Sequence, residues 1–252
     1  MKTEEFKNKI ILVTGAFGLL GKEITKNFNK KKATLILVDN KKKSQKVDNS
    51  FFYTCDFTKE KEREIVFQKI KNKHKKIDII INCAGYTGSI KDKNWITSFE
   101  NQDLKNWKNA FEVNLNSIFH LSKILHRNLS NSNGNIINLG SIYSILSPDP
   151  GLYKGLKMSS PAAYAASKGG LQLLTKWLAV HLSPKIRVNM ISSIGIKNNQ
   201  PLKFIKRYEK KIPLRRMCKK EDIIGTINFL ASDKSKMITG QNIIIDGGYS
   251  LL

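Results

Sequence analysis

The chain has 252 residues, of which 40% are hydrophobic, and its 44 Lys and Arg against 20 Asp and Glu give a formal net charge of +24. This length and hydrophobic content are typical of one α/β domain with a single sizeable core. Because the basic residues are spread over nearly every predicted helix, with no basic stripe interleaved with aromatic residues, the charge indicates compositional bias and no nucleic-acid partner.

Seven apolar runs of strand length alternate along the chain with segments of helical periodicity. The predicted strands are Ile10–Thr14, Thr34–Val38, Phe51–Thr54, Ile77–Asn82, Asn135–Leu139, Ile186–Ile191 and Asn242–Ile245. The predicted helices are Leu19–Asn29, Lys59–Lys73, Leu104–Leu129, Pro161–Leu182, Leu202–Lys211 and Glu221–Ala231. This alternation predicts an α/β fold with one doubly wound parallel sheet, in which functional residues follow the carboxyl ends of the strands.

A glycine-rich turn joins the first predicted strand to the first helix. Gly15 would permit the tight turn, Gly18 would let the backbone approach a pyrophosphate, and Gly21 would allow close packing of the helix on the strand. The helix N-terminus would then face the phosphates. The turn therefore predicts a dinucleotide site with contacts from Gly15, Phe17, Gly18, Leu19 and Gly21.

An aspartate, Asp39, ends the second predicted strand about 20 residues further on, where a carboxylate accepts hydrogen bonds from ribose hydroxyls. A carboxylate there repels a 2′-phosphate, which favours NAD as the cofactor. Lys41, Lys42 and Lys43 follow directly and have the charge to accommodate such a phosphate, so NADP stays open.

The third and fourth predicted strands are also followed by candidate cofactor contacts. Asp56 is placed to bind the adenine edge, with Phe57 beside it, although an aspartate there is equally suited to a turn before the next helix. At the end of the fourth strand the small residues around Asn82, Ala84 and Gly85 leave room for a cofactor.

Tyr164 and Lys168 lie four residues apart at the start of a predicted helix, which puts both side chains on one face. A nearby ammonium favours the phenolate, so we expect Lys168 to lower the pKa of Tyr164 from its ordinary value of about 10. A phenol of this kind is typical of acid–base catalysis at neutral pH.

Taken together, these segments resemble the short-chain dehydrogenase/reductase family over essentially the whole chain. The matching segments are Thr14-Gly15, Asn82-Cys83-Ala84-Gly85, Val113-Asn114, Ser141, Tyr164-Ala-Ala-Ser-Lys168, Arg187-Val188-Asn189, Glu221-Asp222-Ile223 and Asp246-Gly247-Gly248. The resemblance implies a single-domain Rossmann fold over residues 1–252 and an NAD(P)-dependent enzyme that interconverts a carbonyl and a secondary alcohol.

The same resemblance implies roles for four catalytic residues. Tyr164 would exchange the proton on the substrate oxygen, Ser141 would hydrogen-bond that oxygen, and Lys168 would also hold the nicotinamide ribose. Asn114 would anchor a water in a proton relay. The resemblance further implies a homodimer or homotetramer built partly on the two longest predicted helices.

Two segments depart from the family's usual pattern. The glycine turn has the spacing GxxGxxG, where GxxxGxG is commonest. After the sixth strand, Ser193 and Ile194 precede Gly195 where a Pro-Gly pair is usual, which restores a backbone donor and puts Ile194 beside the nicotinamide. A catalytically weak nucleotide-binding regulatory protein is therefore kept as an alternative.

The segment between Ser141 and Tyr164 is longer than is usual in the family. We expect residues 145–162 and 194–215 to form a substrate lid, with Tyr153, Lys157 and Ser159 as candidate substrate contacts. This segment resembles a bacterial subgroup that modifies flagellin and surface glycans, which implies a sugar or sugar-phosphate derivative in surface-glycan or amino-sugar biosynthesis. The enzymatic alternative is a 3-oxoacyl-(acyl-carrier-protein) reductase.

Neither a membrane span nor a metal site is predicted. No stretch approaches the roughly 18 apolar residues that a span requires, and the N-terminus has no hydrophobic signal region. We therefore expect a cytoplasmic protein. The cysteines, Cys55, Cys83 and Cys218, lack the CxxC spacing of zinc sites.

Overall fold

A seven-stranded parallel sheet organises the computed structural model of the chain, which describes residues 5–41, 47–87 and 94–252. The strands are β1 Ile10–Thr14, β2 Thr34–Asp39, β3 Ser50–Thr54, β4 Ile79–Asn82, β5 Asn135–Leu139, β6 Arg187–Ser193 and β7 Asn242–Ile245. Their order is β3-β2-β1-β4-β5-β6-β7, and each neighbouring pair is parallel. This arrangement confirms the predicted doubly wound Rossmann fold.

Helices cover both faces of the sheet. They are α1 Leu19–Lys30, α2 Glu60–Lys73, α3 Leu104–Phe111, α4 Ser117–Ser130, α5 Ala162–His181, α6 Leu202–Lys210 and α7 Lys220–Ala231. A π-helical turn, Glu112–Asn116, joins α3 to α4, so the segment predicted as one long helix is divided at the candidate residue Asn114. None of the helices in the described ranges has the length and hydropathy needed to cross a bilayer.

Successive side chains of each strand point to opposite faces of the sheet and are buried in two apolar layers. In β1, Ile11 and Val13 are buried with Ile24 of α1 on one face of the sheet. Leu12 is buried on the opposite face with Phe67 of α2. Because a strand buried on both faces has no polar side, the continuous apolar runs of the sequence are explained by this two-sided core.

The order in which strands are added to the sheet reverses between β1 and β4, which are parallel neighbours although two strands separate them in sequence. The Thr14 hydroxyl at the end of β1 accepts hydrogen bonds from the backbone N–H groups of Cys83 and Ala84, both at 3.1 Å. These bonds hold the two strand ends together at the point where open α/β sheets form a ligand crevice.

Candidate active site

A cavity of about 970 Å³ runs along the carboxyl ends of the strands, from the glycine turn to the two segments expected to form a lid. Its volume lies at the upper end of the range for ligand pockets, roughly 300–1,000 Å³. Fifteen of the predicted site residues line it: Gly15, Gly18, Leu19, Gly21, Asp39, Asp56, Phe57, Ala84, Gly85, Ser141, Tyr153, Ser159, Tyr164, Lys168 and Ile194. Phe17, Asn82, Asn114 and Lys157 do not line it.

The glycine turn has no room for side chains. Gly15 has φ +64°, and a Cβ atom there would lie 2.7 Å from Ala84 Cα. At Gly21 an added Cβ would lie 2.0 Å from the Gly15 carbonyl oxygen. Gly18 caps α1, so the first unpaired N–H groups of this helix border the cavity and fit a pyrophosphate.

Asp39 anchors the glycine turn from the end of β2. Its carboxylate accepts hydrogen bonds from the backbone N–H of Phe17 at 2.8 Å and of Lys41 at 2.9 Å. The Phe17 ring packs against Phe52 with 5.3 Å between centroids, so this ring is part of the core and does not line the cavity. The cofactor contact predicted for Phe17 stays a prediction. The predictions for Lys42 and Lys43 lie outside the described residues.

Asp56 borders the cavity, and it also stabilises the turn before the next helix, which was the alternative role considered for it. Its Oδ1 accepts hydrogen bonds from the Thr58 backbone N–H at 3.0 Å and from the Thr58 hydroxyl at 2.8 Å. Its Oδ2 lies 3.7 Å from Lys59 Nζ. Asp56 therefore closes the turn before α2 and also lines the crevice, and its contact with the adenine stays a prediction.

Asn82, predicted as a cofactor contact, does not line the cavity. Its side-chain amide donates a hydrogen bond to Asn138 Oδ1 at 2.8 Å, and Asn138 in turn donates to the Thr175 hydroxyl at 2.9 Å. Asn82 is therefore buried between β4, β5 and α5, where it links these elements and does not reach the cavity.

The residues Tyr164 and Lys168 lie one turn apart on α5, as predicted. Lys168 Nζ is 5.9 Å from the Tyr164 ring centroid and donates a hydrogen bond to the Leu139 carbonyl at 2.8 Å. Burial lowers the pKa of Lys168 to about 8. Ser141, directly after β5, hydrogen-bonds the Tyr164 side chain.

The predicted pKa shift of Tyr164 is wrong in direction. Burial raises the pKa of this phenol, and the hydrogen bond from Ser141 opposes that rise only in part. The Lys168 ammonium, which was expected to stabilise the phenolate, donates its hydrogen bond to the Leu139 carbonyl instead. Tyr164 is thus a neutral phenol that has a proton to donate.

Asn114 lies in the π-helical turn and is fully buried. Its Oδ1 accepts a hydrogen bond from the Tyr86 backbone N–H at 2.7 Å, and its Nδ2 donates to the Ser167 hydroxyl at 3.0 Å and to the Tyr86 carbonyl at 3.3 Å. The side chain therefore fixes the backbone that follows β4 against the residue preceding Lys168.

Comparisons with known proteins agree with this geometry. A family model described as enoyl-(acyl carrier protein) reductase matches residues 15–250. The chain belongs to the short-chain dehydrogenase/reductase family. Accordingly, it is an NAD(P)-dependent oxidoreductase that acts on CH–OH groups, and its glycine turn, crevice and α1 N-terminus fit a nicotinamide dinucleotide.

Three relatives of this short-chain dehydrogenase cover nearly its whole length. Post-translational flagellin modification protein A of Campylobacter coli is 32% identical, covering 97% of this chain and 99% of its own. The 3-oxoacyl-(acyl-carrier-protein) reductase FabG of Buchnera aphidicola subsp. Baizongia pistaciae is 33% identical, covering 98% of each chain. A short-chain dehydrogenase from Leptospira borgpetersenii with bound NAD+ is 36% identical, with a TM-score of 0.89 over 98% of this chain and 95% of that one.

The two expected lid segments of the dehydrogenase contact each other. Lys211 Nζ lies 2.5 Å from Asp149 Oδ2, and Arg207 donates hydrogen bonds to the carbonyls of Leu152 at 3.3 Å and Lys154 at 2.6 Å. Lys157 is exposed and does not line the cavity, so the substrate contact predicted for it stays a prediction.

The departure at Ile194 has a structural explanation. Its backbone N–H, which a proline would lack, donates a hydrogen bond to the Ile245 carbonyl at 3.2 Å and so extends the pairing of β6 with β7. The residue is buried and lines the cavity, and its place beside the nicotinamide stays a prediction.

Sequence reasoning missed two groups of residues in this dehydrogenase. Arg63 is buried on α2, where it donates a hydrogen bond to the Phe57 carbonyl and lies 2.6 Å from Glu112 of the π-helical turn, so it ties the adenine end to the turn that holds Asn114. Tyr143 and Tyr208 line the substrate end. Tyr143 lies two residues after Ser141, so its position in the sequence could have identified it as a cavity residue. Tyr208 reaches the cavity only through the packing of α6, which the sequence does not indicate.

Proposed function

We propose that the enzyme interconverts a carbonyl and a secondary alcohol on a sugar or sugar-phosphate derivative in surface-glycan or amino-sugar biosynthesis. The observation that carries this proposal is the concentration of hydroxyl groups at the substrate end of the cavity. Hydroxyl-bearing residues that line it there are Ser141, Tyr143, Tyr153, Ser159, Ser160, Tyr164 and Tyr208. Such groups have hydrogen-bonding capacity for the hydroxyls of a carbohydrate, whereas an acyl chain has no group that uses it. The likeness to the flagellin modification protein also supports a carbohydrate substrate.

The proposed chemistry divides between cofactor and protein. The bound nicotinamide supplies or accepts the hydride. Tyr164 donates the proton to the substrate oxygen in the reducing direction, since its phenol is neutral, and Ser141 hydrogen-bonds the same oxygen. Lys168, one turn further along the same face of α5, holds the nicotinamide ribose, and Asn114 holds this part of α5 in place through its hydrogen bond to Ser167.

The proposed cofactor contacts follow from the lining of the crevice. The first N–H groups of α1 bind the pyrophosphate, and Asp39 binds the adenosine ribose. Asp56 and Phe57 border the adenine, while Ala84, Gly85 and Ile194 border the rest of the cofactor. We further propose that residues 145–162 and 194–215 form the substrate lid, since Asp149 and Lys211 tie them together.

We propose NAD as the preferred cofactor, because the Asp39 carboxylate repels a 2′-phosphate. Asp39→Asn removes the charge and keeps one oxygen acceptor for the glycine turn. The ratio of kcat/KM with NADP to that with NAD should rise about tenfold, which corresponds to about 1.4 kcal/mol. Asp149→Asn, the same change on the lid, should leave the ratio unaltered. A wild-type enzyme that prefers NADP would contradict the assignment.

The alternative substrate is a 3-oxoacyl thioester, which the similarity to the Buchnera reductase supports. The deciding measurement compares kcat/KM for acetoacetyl thioesters, free sugars and sugar phosphates, each with NAD(H) and NADP(H). We expect higher values with the carbohydrates. Robust turnover of acetoacetyl thioesters alone would exclude the carbohydrate proposal.

We also propose a homo-oligomer formed through the outer face of α5. Leu173, Trp177 and Val180 lie along one side of this helix and are 68%, 51% and 74% exposed. Large apolar side chains in such a row are typical of an interface. The molar mass in solution, from light scattering, should be a multiple of 28.6 kDa, and a monomer would refute the proposal.

A further inference from the structure

Three tyrosines from separate parts of the chain meet at the substrate end of the cavity. Tyr143 follows Ser141 after β5, Tyr153 lies in the first lid segment, and Tyr208 comes from α6 in the second lid segment. All three line the cavity. We call them the tyrosine cluster.

The hydroxyl groups of the tyrosine cluster lie close to one another. Those of Tyr143 and Tyr153 share a hydrogen bond of 2.8 Å. Tyr208 Oη accepts a hydrogen bond from the Gly195 backbone N–H at 3.1 Å. The Tyr143 hydroxyl also influences the pKa of Tyr208, and the Ser160 hydroxyl that of Tyr153, so the network extends from the loop after β6 to the residues preceding Tyr164.

The bonds of this network leave hydroxyl protons available. Each tyrosine hydroxyl has one proton to donate. The bond between Tyr143 and Tyr153 uses one of their two protons, and the Tyr208 hydroxyl is the acceptor in its bond from Gly195. Because all three tyrosines border the cavity, a ligand oxygen there can accept a remaining proton.

The network is also electrically neutral. Burial raises the pKa of Tyr143, Tyr153 and Tyr208, so their hydroxyls stay protonated at neutral pH. Within residues 5–41, 47–87 and 94–252, the charged side chains that line the cavity are Asp39, Lys41, Asp56 and Lys168, which belong to the cofactor end and the catalytic centre. Neutral hydroxyls do not offset the desolvation of a phosphate, whereas they match a sugar hydroxyl.

The rings of the same residues suit a carbohydrate skeleton. Phe204 lies between Tyr153 and Tyr208, with centroid distances of 5.6 and 5.2 Å, and forms an apolar wall with them. The Tyr143 ring meets the Tyr164 ring edge to face at 6.5 Å. The free hydrogen-bonding capacity of the cluster therefore lies beside the residue proposed to exchange the proton.

We propose that the tyrosine cluster binds a second hydroxyl group of the substrate, close to the reacting carbon, and thereby selects an uncharged polyhydroxylated carbohydrate over its phosphate ester. This inference rests on the proposed carbohydrate activity and narrows it. Tyr143 is the central member, since its hydroxyl is bonded to that of Tyr153 and its ring lies against Tyr164.

The test uses the wild-type enzyme, Tyr143→Phe and Tyr249→Phe. The probes are free hexoses and hexitols, their 6-phosphates, and deoxy analogues that lack a hydroxyl next to the reacting carbon. Wild-type kcat/KM should be at least about tenfold higher for the neutral compound than for its phosphate. Tyr143→Phe should lower kcat/KM by about 10- to 100-fold for the hydroxylated substrate and by less than about twofold for its deoxy analogue.

Tyr249→Phe is the matched control, since Tyr249 stacks on Tyr208 at 5.4 Å but does not line the cavity. Tyr249→Phe should leave kcat/KM unchanged for both the hydroxylated substrate and its deoxy analogue. Equal losses on both substrates in Tyr143→Phe, or a preference for the phosphate, would overturn the inference and leave the carbohydrate activity standing. A wild-type enzyme that converts no carbohydrate in the panel would overturn the proposed function and this inference with it.

Discussion

Tyr164→Phe should lower kcat by about 10²- to 10⁴-fold, the usual contribution of a positioned general acid or base. The variant keeps the ring and its edge-to-face contact with Tyr143 and loses only the hydroxyl that pairs with Ser141. Since burial raises the pKa of this phenol, the wild-type side chain is a proton donor in the reducing direction. Steady-state rates of hydride transfer, followed through nicotinamide absorbance, measure the loss.

The dissociation constant for the cofactor should change little in the same variant, because the Tyr164 hydroxyl is directed at Ser141 and the crevice residues are untouched. Tyr53→Phe is the control, since the Tyr53 hydroxyl pairs with His74 at 3.2 Å, far from the cavity lining. It should retain wild-type kcat. Unimpaired turnover in Tyr164→Phe would refute the assigned role and would favour the alternative of a nucleotide-binding regulatory protein.

The sheet was predictable from sequence because burial on both faces leaves an unmistakable pattern. The bounds of β1, β5 and β7 match the predicted runs, since Ile11, Leu12 and Val13 each need an apolar neighbour on one face or the other. The glycine turn was predictable for a similar reason, because added Cβ atoms at Gly18 and Gly21 would meet the Gly15 backbone only a few residues away.

Other features depended on tertiary packing and had no local signal. The π-helical turn at Asn114 is held by hydrogen bonds to Tyr86 and Ser167, which helical periodicity does not encode. Asn82 lies at the predicted strand end but turns towards Asn138 of the next strand. For Tyr164, the spacing to Lys168 was read correctly, but the depth of burial, which decides the direction of its pKa shift, depends on the whole fold.

Gly21→Ala should abolish tight cofactor binding and destabilise the enzyme. A Cβ at this position would lie 2.0 Å from the Gly15 carbonyl oxygen and 2.9 Å from its carbonyl carbon, so backbone atoms would have to move. Gly15 cannot yield easily, because it packs against the Ala84 backbone at the end of β4. Overpacking of this kind costs about 1–3 kcal/mol, and displacement of α1 would also misplace the N–H groups proposed to bind the pyrophosphate.

Gly225→Ala provides the matched comparison, since Gly225 also lies within a helix, α7, and a Cβ there meets nothing within 4 Å. Alanine is favoured over glycine in helices by about 1 kcal/mol, so Gly225→Ala should raise the melting temperature, whereas Gly21→Ala should lower it despite the same intrinsic gain. Thermal unfolding and cofactor titration of both variants measure the difference. We expect the dissociation constant for the cofactor to rise at least tenfold in Gly21→Ala and to stay unchanged in Gly225→Ala. Only at Gly21 does the added methyl group collide with the turn proposed to bind the dinucleotide. Equal behaviour of the two variants would show that the close approach of α1 to Gly15 is not required for binding.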